Sequence, residues 1–147
     1  MEAPRLVLRF RELTPDVDTI QAHLAVLTRK RSVWWGWWKK EMEPSHNEEI
    51  RALEENVSRR TPIAAWLIDT SAERLHLAEV IQVKTQLSLR ETTGVPPYYR
   101  QSNKAIPAWF RLSKIQVDYP YNGELEGVVG QNTLAFLPTN GGRKINV

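Results

Sequence analysis

The chain has 147 residues, 41% of them hydrophobic, the size and apolar content of one ordinary domain that can close its own core. No stretch approaches the roughly 18 apolar residues of a membrane helix and no charged segment leads into an apolar one as in a secretory leader, so a soluble, cytoplasmic protein is expected. The absence of cysteine and a net charge of +3 exclude disulfides, thiol nucleophiles and cysteine zinc sites, call for no metal or cofactor, and tolerate a nucleic-acid partner without requiring one.

Residues 5–11 alternate, with Leu6, Leu8 and Phe10 on one face and Arg5, Arg9 and Arg11 on the other, the period of a half-buried strand. Thr14 then Pro15 supplies an N-cap and a first-turn proline, and Asp16 and Asp18 suit the positive end of a helix dipole. Val17, Ile20, Leu24 and Leu27 recur at helical spacing, and Arg29, Lys30 and Arg31 close that helix. Residues 33–38 are too aromatic and too short for a helix and hold Gly36 at their centre, so they read as a second strand. Ser45 and Glu48 form a capping box for a second helix, which carries Ile50, Leu53 and Val57 and closes on Arg59 and Arg60 before Pro62. An apolar strand at 63–68, a polar turn at 69–73 and an alternating strand at 75–83 make a hairpin.

Residues 92–107 contain Gly94, Pro96, Pro97 and Pro107 and are expected to hold no regular structure; connections of that length are usually functional or disordered. A long strand follows at 108–117 and a short one at 133–137. The order lacks the regular alternation of a doubly wound sheet. It predicts an α+β fold, a curved mixed β-sheet or small open barrel with two flanking helices, with residues 1–137 as one domain and 138–147 as a flexible tail or linker.

Six tryptophans accompany only three phenylalanines and four tyrosines, and four of them, Trp34, Trp35, Trp37 and Trp38, share one short strand. Alternation puts Trp35 and Trp37 with Val33 on one face, and Trp34 and Trp38 with Gly36 on the other. A small core absorbs two indoles more readily than four, so one face is expected to be wet or to border a cleft. Gly36 between Trp34 and Trp38 leaves a ring-sized gap between aromatic walls, the shape of a cage for a cation or a flipped base. Lys39 and Lys40 beside it favour an anionic ligand backbone. Tyr98 and Tyr99 are a second candidate wall; Trp66 reads as core, and Trp109 as core or a further cage member.

Arg5, Arg9, Arg100 and Lys104 join Lys39 and Lys40 as candidate phosphate contacts. Catalysis finds less support: the chain has no phosphate-cradling glycine loop, no nucleophile elbow and no histidine pair at metal-binding spacing. Glu79 is an inward-pointing carboxylate by alternation, either a satisfied structural acid or a hydrogen-bond acceptor for a bound base. His76 lies on the opposite face of that strand and reads as exposed, and His23 and His46 receive no role.

This chain order resembles the PUA-like superfamily and, within it, the YTH and EVE domains that read modified bases. The resemblance spans residues 5–117 and rests on the opening strand, the acidic helix start, the Trp-bearing strand, the apolar strand with its polar turn, Ala78-Glu79-Val80 and Trp109-Phe110. It implies an aromatic cage that accepts an extruded, methylated or plain base, with Trp34 or Trp38 matching the family's first cage tryptophan. Leu77 stands where the family places a glycine, and Thr70 and Ser71 stand where YTH domains place a second tryptophan. The resemblance further implies the N-terminal reader of a larger restriction or defence protein, with modified DNA as the favoured partner, RNA as the other, and a C-terminal effector domain.

The expected function is therefore a non-catalytic nucleic-acid-binding module. The alternative is a protein-interaction or small-ligand sensor domain with the tryptophan cluster as its hot spot. A third reading is a hydrolase of the ASCH type, with Lys39 and Glu79 as its acid–base pair.

Overall fold

A computed structural model describes residues 3–12, 17–101, 106–121, 123 and 125–137. The fold is α+β. Strand β1 (Leu6–Phe10) is followed by helix α1 (Thr19–Lys30), strand β2 (Val33–Trp37) and helix α2 (Asn47–Asn56). Strands β3 (Ile63–Asp69) and β4 (Arg74–Lys84) form the expected hairpin, and β5 (Ala108–Pro120), the one-turn helix α3 (Glu126–Val129) and β6 (Leu134–Phe136) complete the order. The six strands make one curled mixed sheet in the order β2-β5-β4-β3-β1-β6, with β1 and β3 parallel and the other pairs antiparallel. Three register shifts along the β4–β5 pair supply the extra local twist that bends a sheet on itself.

The curl brings the edge strands β2 and β6 together, and side chains bridge them. The Trp37 indole N–H donates to the Thr133 hydroxyl at 2.9 Å. The buried Glu43 carboxylate accepts from the backbone N–H groups of Lys40 at 2.9 Å and Thr133 at 2.8 Å, and from the Thr133 hydroxyl. Edge strands leave N–H groups without a ladder, and here one acidic side chain fills that role.

The interior is aliphatic and aromatic: Leu6, Leu8, Leu67, Ala78, Val80, Phe110 and Leu112 from the sheet meet Ile20 and Val26 of α1 and Ile50 and Leu53 of α2. A smaller cluster lies on the other side of β1, where Val7 packs with Ile68, Leu75, Leu125 and Val129. The first strand is therefore covered on both faces at its centre, and Val7 interrupts the basic stripe expected of Arg5, Arg9 and Arg11.

Several boundaries differ from the sequence reading, each for a local reason. Asp18, not Thr14, caps α1, accepting from the Gln21 N–H at 3.1 Å, while Glu12 reaches in from the preceding segment to accept from the Thr19 N–H at 3.0 Å. The Ser45–Glu48 box does not form: His46 precedes α2 in the left-handed region at φ 52° and makes no capping bond. Its ring instead meets the Glu49 carboxylate at 3.0 Å. Helix α2 stops at Asn56, so Arg59 and Arg60 lie beyond it. The segment expected to be irregular contains two 3-10 turns, Glu91–Gly94 and Pro97–Gln101; Pro97 opens the second, a position where its missing N–H costs nothing. The tail at 138–147, like Thr14, Pro15 and Asp16, lies outside the described residues.

Candidate nucleic-acid interface

Because β2 alternates, its inner face sends Trp35 and Trp37 into the main core and its outer face presents Trp34, Gly36 and Trp38. The neighbouring β5 sets Arg111 opposite Trp34 and Trp109 opposite Gly36. Over this face lie described residues of the segment that joins β4 to β5. Val95 and Tyr99 are buried against Trp34, and Leu87, Tyr98 and Ile106 pack around them with Trp38 and Trp109. The structure thus brings together Trp34, Trp38, Tyr98, Tyr99 and Trp109, and separates Trp35 and Trp37 from them.

The gap expected over Gly36 exists and is filled. A Cβ built on Gly36 would lie 2.9 Å from Trp109 Cζ3 and 3.0 Å from both Ile106 Cδ1 and Tyr99 Cε1, so glycine is required by the close approach of these rings. Tyr99 stacks on Tyr98 with ring centroids 4.5 Å apart and planes 23° apart. It meets Trp38 at 5.2 Å and 73°, and Trp109 at 5.3 Å and 60°. These separations and tilts are ones aromatic pairs prefer. The expectation of a wet face on β2 is overturned accordingly: all of Val33–Trp37 is buried, Trp34 to 3% exposure, because the chain supplies its own aromatic cover. Trp38 is half-buried, and its indole nitrogen is buried without a hydrogen-bond partner.

A hydrogen-bonded relay anchors the cover. The Gly36 N–H donates to the Tyr99 hydroxyl oxygen at 3.0 Å. That hydroxyl lies 3.2 Å from His23 Nε2, and His23 Nδ1 lies 2.7 Å from the Thr19 carbonyl. A carbonyl only accepts, so Nδ1 carries the imidazole proton and Nε2 receives the one from Tyr99. Burial pushes the His23 pKa down to about 4, against the opposing pull of the Thr19 carbonyl, and the ring is neutral at pH 7. Burial likewise pushes the Tyr99 phenol up to about 12. His23 also lies tilted against Trp35 at 4.4 Å. One side chain of α1 therefore touches both the inner face of β2 and the cover on its outer face.

The candidate phosphate contacts scatter. Lys39 Nζ donates to the carbonyls of Lys40 at 3.1 Å and Glu41 at 3.4 Å, and Lys40 Nζ to that of Gln131 at 2.9 Å, all near the outer end of β2. Arg100 is exposed on the Tyr99-bearing turn. Arg9 is half-buried on β1, where its N–H bonds the Thr133 carbonyl. Arg5 sits at the other end of β1 beside Ala64, away from the aromatic cluster, and Lys104 lies outside the described residues. Arg111 holds a structural post: its guanidinium sits 5.7 Å over the Trp34 ring and donates to Ser32 at 2.9 Å and Gln82 at 3.2 Å.

Sequence reasoning missed His23, Glu43 and Thr133. His23 carried a faint signal, since it occupies the apolar stripe of α1 between Ile20 and Leu27. Glu43 and Thr133 carried none, because they meet across ninety residues of chain. His76 is half-buried rather than exposed. Among the described residues no group of histidine, aspartate and glutamate could hold a metal ion, and no helix is long and apolar enough to cross a membrane. A family model described as Pua-like matches residues 6–126. The chain matches no curated protein and no solved structure.

Proposed function

The chain belongs to the Pua-like family, whose members are in general RNA- or DNA-binding modules and typically not catalysts, and on that premise we propose that it binds nucleic acid by admitting a flipped base to the aromatic cluster in place of Tyr99. The observation that carries this reading is the seat of Tyr99: a planar ring held over Gly36 among Trp38, Trp109 and Tyr98. Its single polar atom is met by the Gly36 N–H as donor and His23 Nε2 as acceptor, with the Tyr98 hydroxyl as a third neighbour. An adenine or cytosine edge, with a ring nitrogen that accepts beside an exocyclic amine that donates, complements that pair. A methyl group on such an amine would rest against the surrounding rings.

The energetics are balanced rather than strongly downhill. Flipping costs a few kcal/mol, and stacking returns roughly 1–3 kcal/mol per base, so phosphate contacts supply the surplus. Lys39 and Lys40 suit that role, because their ammonium groups rest on backbone carbonyls that phosphate oxygens can replace, and Arg100 stands on the turn that moves. The proposal includes modified DNA as the preferred partner, residues 1–137 as one reader domain, and 138–147 as the link to an effector of a restriction or defence protein. The test is a tryptophan-fluorescence titration with short single- and double-stranded DNA and RNA, plain and carrying methylated adenine or cytosine. Saturable quenching that weakens with salt supports the reading. No quenching by any of these at low salt contradicts it.

A further inference from the structure

A second site lies away from the aromatic cluster. A cleft of about 590 Å³ opens between the end of α2 and the β1–β3–β4 part of the sheet, within the 300–1,000 Å³ span of small-molecule sites. Arg5, Ala64 and Glu79 form its floor as a cross-strand row: the Arg5 N–H bonds the Ala64 carbonyl at 2.8 Å, and Ala64 pairs with Glu79. Arg5 and Glu79 are thus two inter-strand spacings apart, about 10 Å, with only a methyl group between them. Leu53, Val57 and Pro62 give the cleft an apolar wall, and Arg60 closes its rim.

The charges in it are unspent. Among the described residues, neither the Arg5 nor the Arg60 guanidinium has an ion-pair partner. Glu79, paired across the ladder with Lys114, accepts one hydrogen bond through Oε1, from the Ser113 hydroxyl at 2.6 Å, and its Oε2 accepts none among the described residues. Guanidinium groups match phosphate oxygens in forked pairs, a carboxylate accepts from the exocyclic amine of a base, and an apolar wall suits a base's flat face. We propose that this cleft binds a phosphorylated nucleoside, with the phosphate at Arg5 and Arg60 and an amino-bearing base directed to Glu79. The two sources of that ligand are a free mononucleotide and the 5′-phosphorylated end of a nucleic-acid strand.

The experiment is a calorimetric titration of the full chain with CMP, AMP and UMP, and with a trinucleotide carrying or lacking a 5′-phosphate. CMP and AMP are expected to bind more tightly than UMP, which has no exocyclic amine. Arg60→Gln, at an exposed position, is expected to weaken CMP binding by about tenfold or more, as loss of a charged hydrogen bond does. Glu79→Gln is expected to erase the preference for CMP over UMP, and Arg29→Gln on α1 to leave binding unchanged. Tighter binding of the 5′-phosphorylated trinucleotide than of CMP assigns the site to strand ends, and the reverse assigns it to free nucleotides. Absence of binding by both the mononucleotides and the 5′-phosphorylated trinucleotide, or binding equal in wild type, Arg60→Gln and Glu79→Gln, overturns the proposal. Heat from nucleotides entering the aromatic cluster would be unchanged by Arg60→Gln and Glu79→Gln, which line only the cleft, so these variants assign the binding and leave the aromatic-cluster reading to its own test.

Discussion

Trp35 and Trp37 on the inner face of β2 and Trp34 and Trp38 on its outer face are separated by single residues, yet they meet different surroundings. The inner pair is 4% and 2% exposed among aliphatic side chains from both long helices and the sheet. Its neighbours belong to strand ladders and the two long helices, so these indoles are fixed in place, Trp37 also through its bond to Thr133. The outer pair faces Trp109 of β5 and two tyrosine rings carried on one short 3-10 turn, Pro97–Gln101, which few backbone bonds tie down. An indole under such a cover can trade it for another flat ring. The same residue type therefore reads as core or as binding surface according to how firmly its partner is fixed, and burial alone does not separate the two cases.

The contrast can be broken most forcefully from the inside. Trp37→Ala opens a cavity in the core and removes the bond to Thr133, which is expected to cost about 3–5 kcal/mol in urea unfolding. Oligonucleotide affinity of the remaining folded protein should be unchanged.

Acid sharpens the comparison next, because His23 touches both faces. Its folded pKa of about 4 lies below the ordinary 6.5, so the unfolded chain takes the proton first. Stability from neutral His23 is complete above about pH 6.5 and is lost as the pH falls towards 4, by roughly 3 kcal/mol. The check is unfolding midpoints across that window, with the His23→Gln protein expected to lose this component of the pH dependence. Tyr99→Phe has a smaller effect. It leaves the Gly36 N–H and His23 Nε2 without the hydroxyl that joins them, at a cost of about 1–3 kcal/mol. The same change loosens the cover, so oligonucleotides are expected to bind more tightly to this variant despite its lower stability.

The α+β class, the order of the strands and the two long helices were readable from period and punctuation, because local patterns of two and 3.6 residues determine them. Alternation also divided the tryptophans between faces correctly, and it placed Gly36 at the close approach. What it could not show was the occupant of that gap, because Tyr99 reaches it across 63 residues of chain. The same limit hid Glu43, whose partner Thr133 is remote in sequence. The Glu12 carboxylate that caps α1 from outside the helix is a third example. Contacts of this kind leave no periodic trace, and in this molecule they close the sheet, anchor a helix and cover the candidate site.

Whether the outer face of β2 receives a base is decided by the affinity of a labelled single-stranded oligonucleotide for wild type and for Trp38→Ala at low salt, with a thermal melt to establish that the variant is folded. Trp38 is half-buried and its indole nitrogen bonds nothing in the protein, so the fold should tolerate its loss. Removal of this edge-on aromatic wall is expected to weaken binding by up to about tenfold. Equal affinity in the folded variant would contradict the claim.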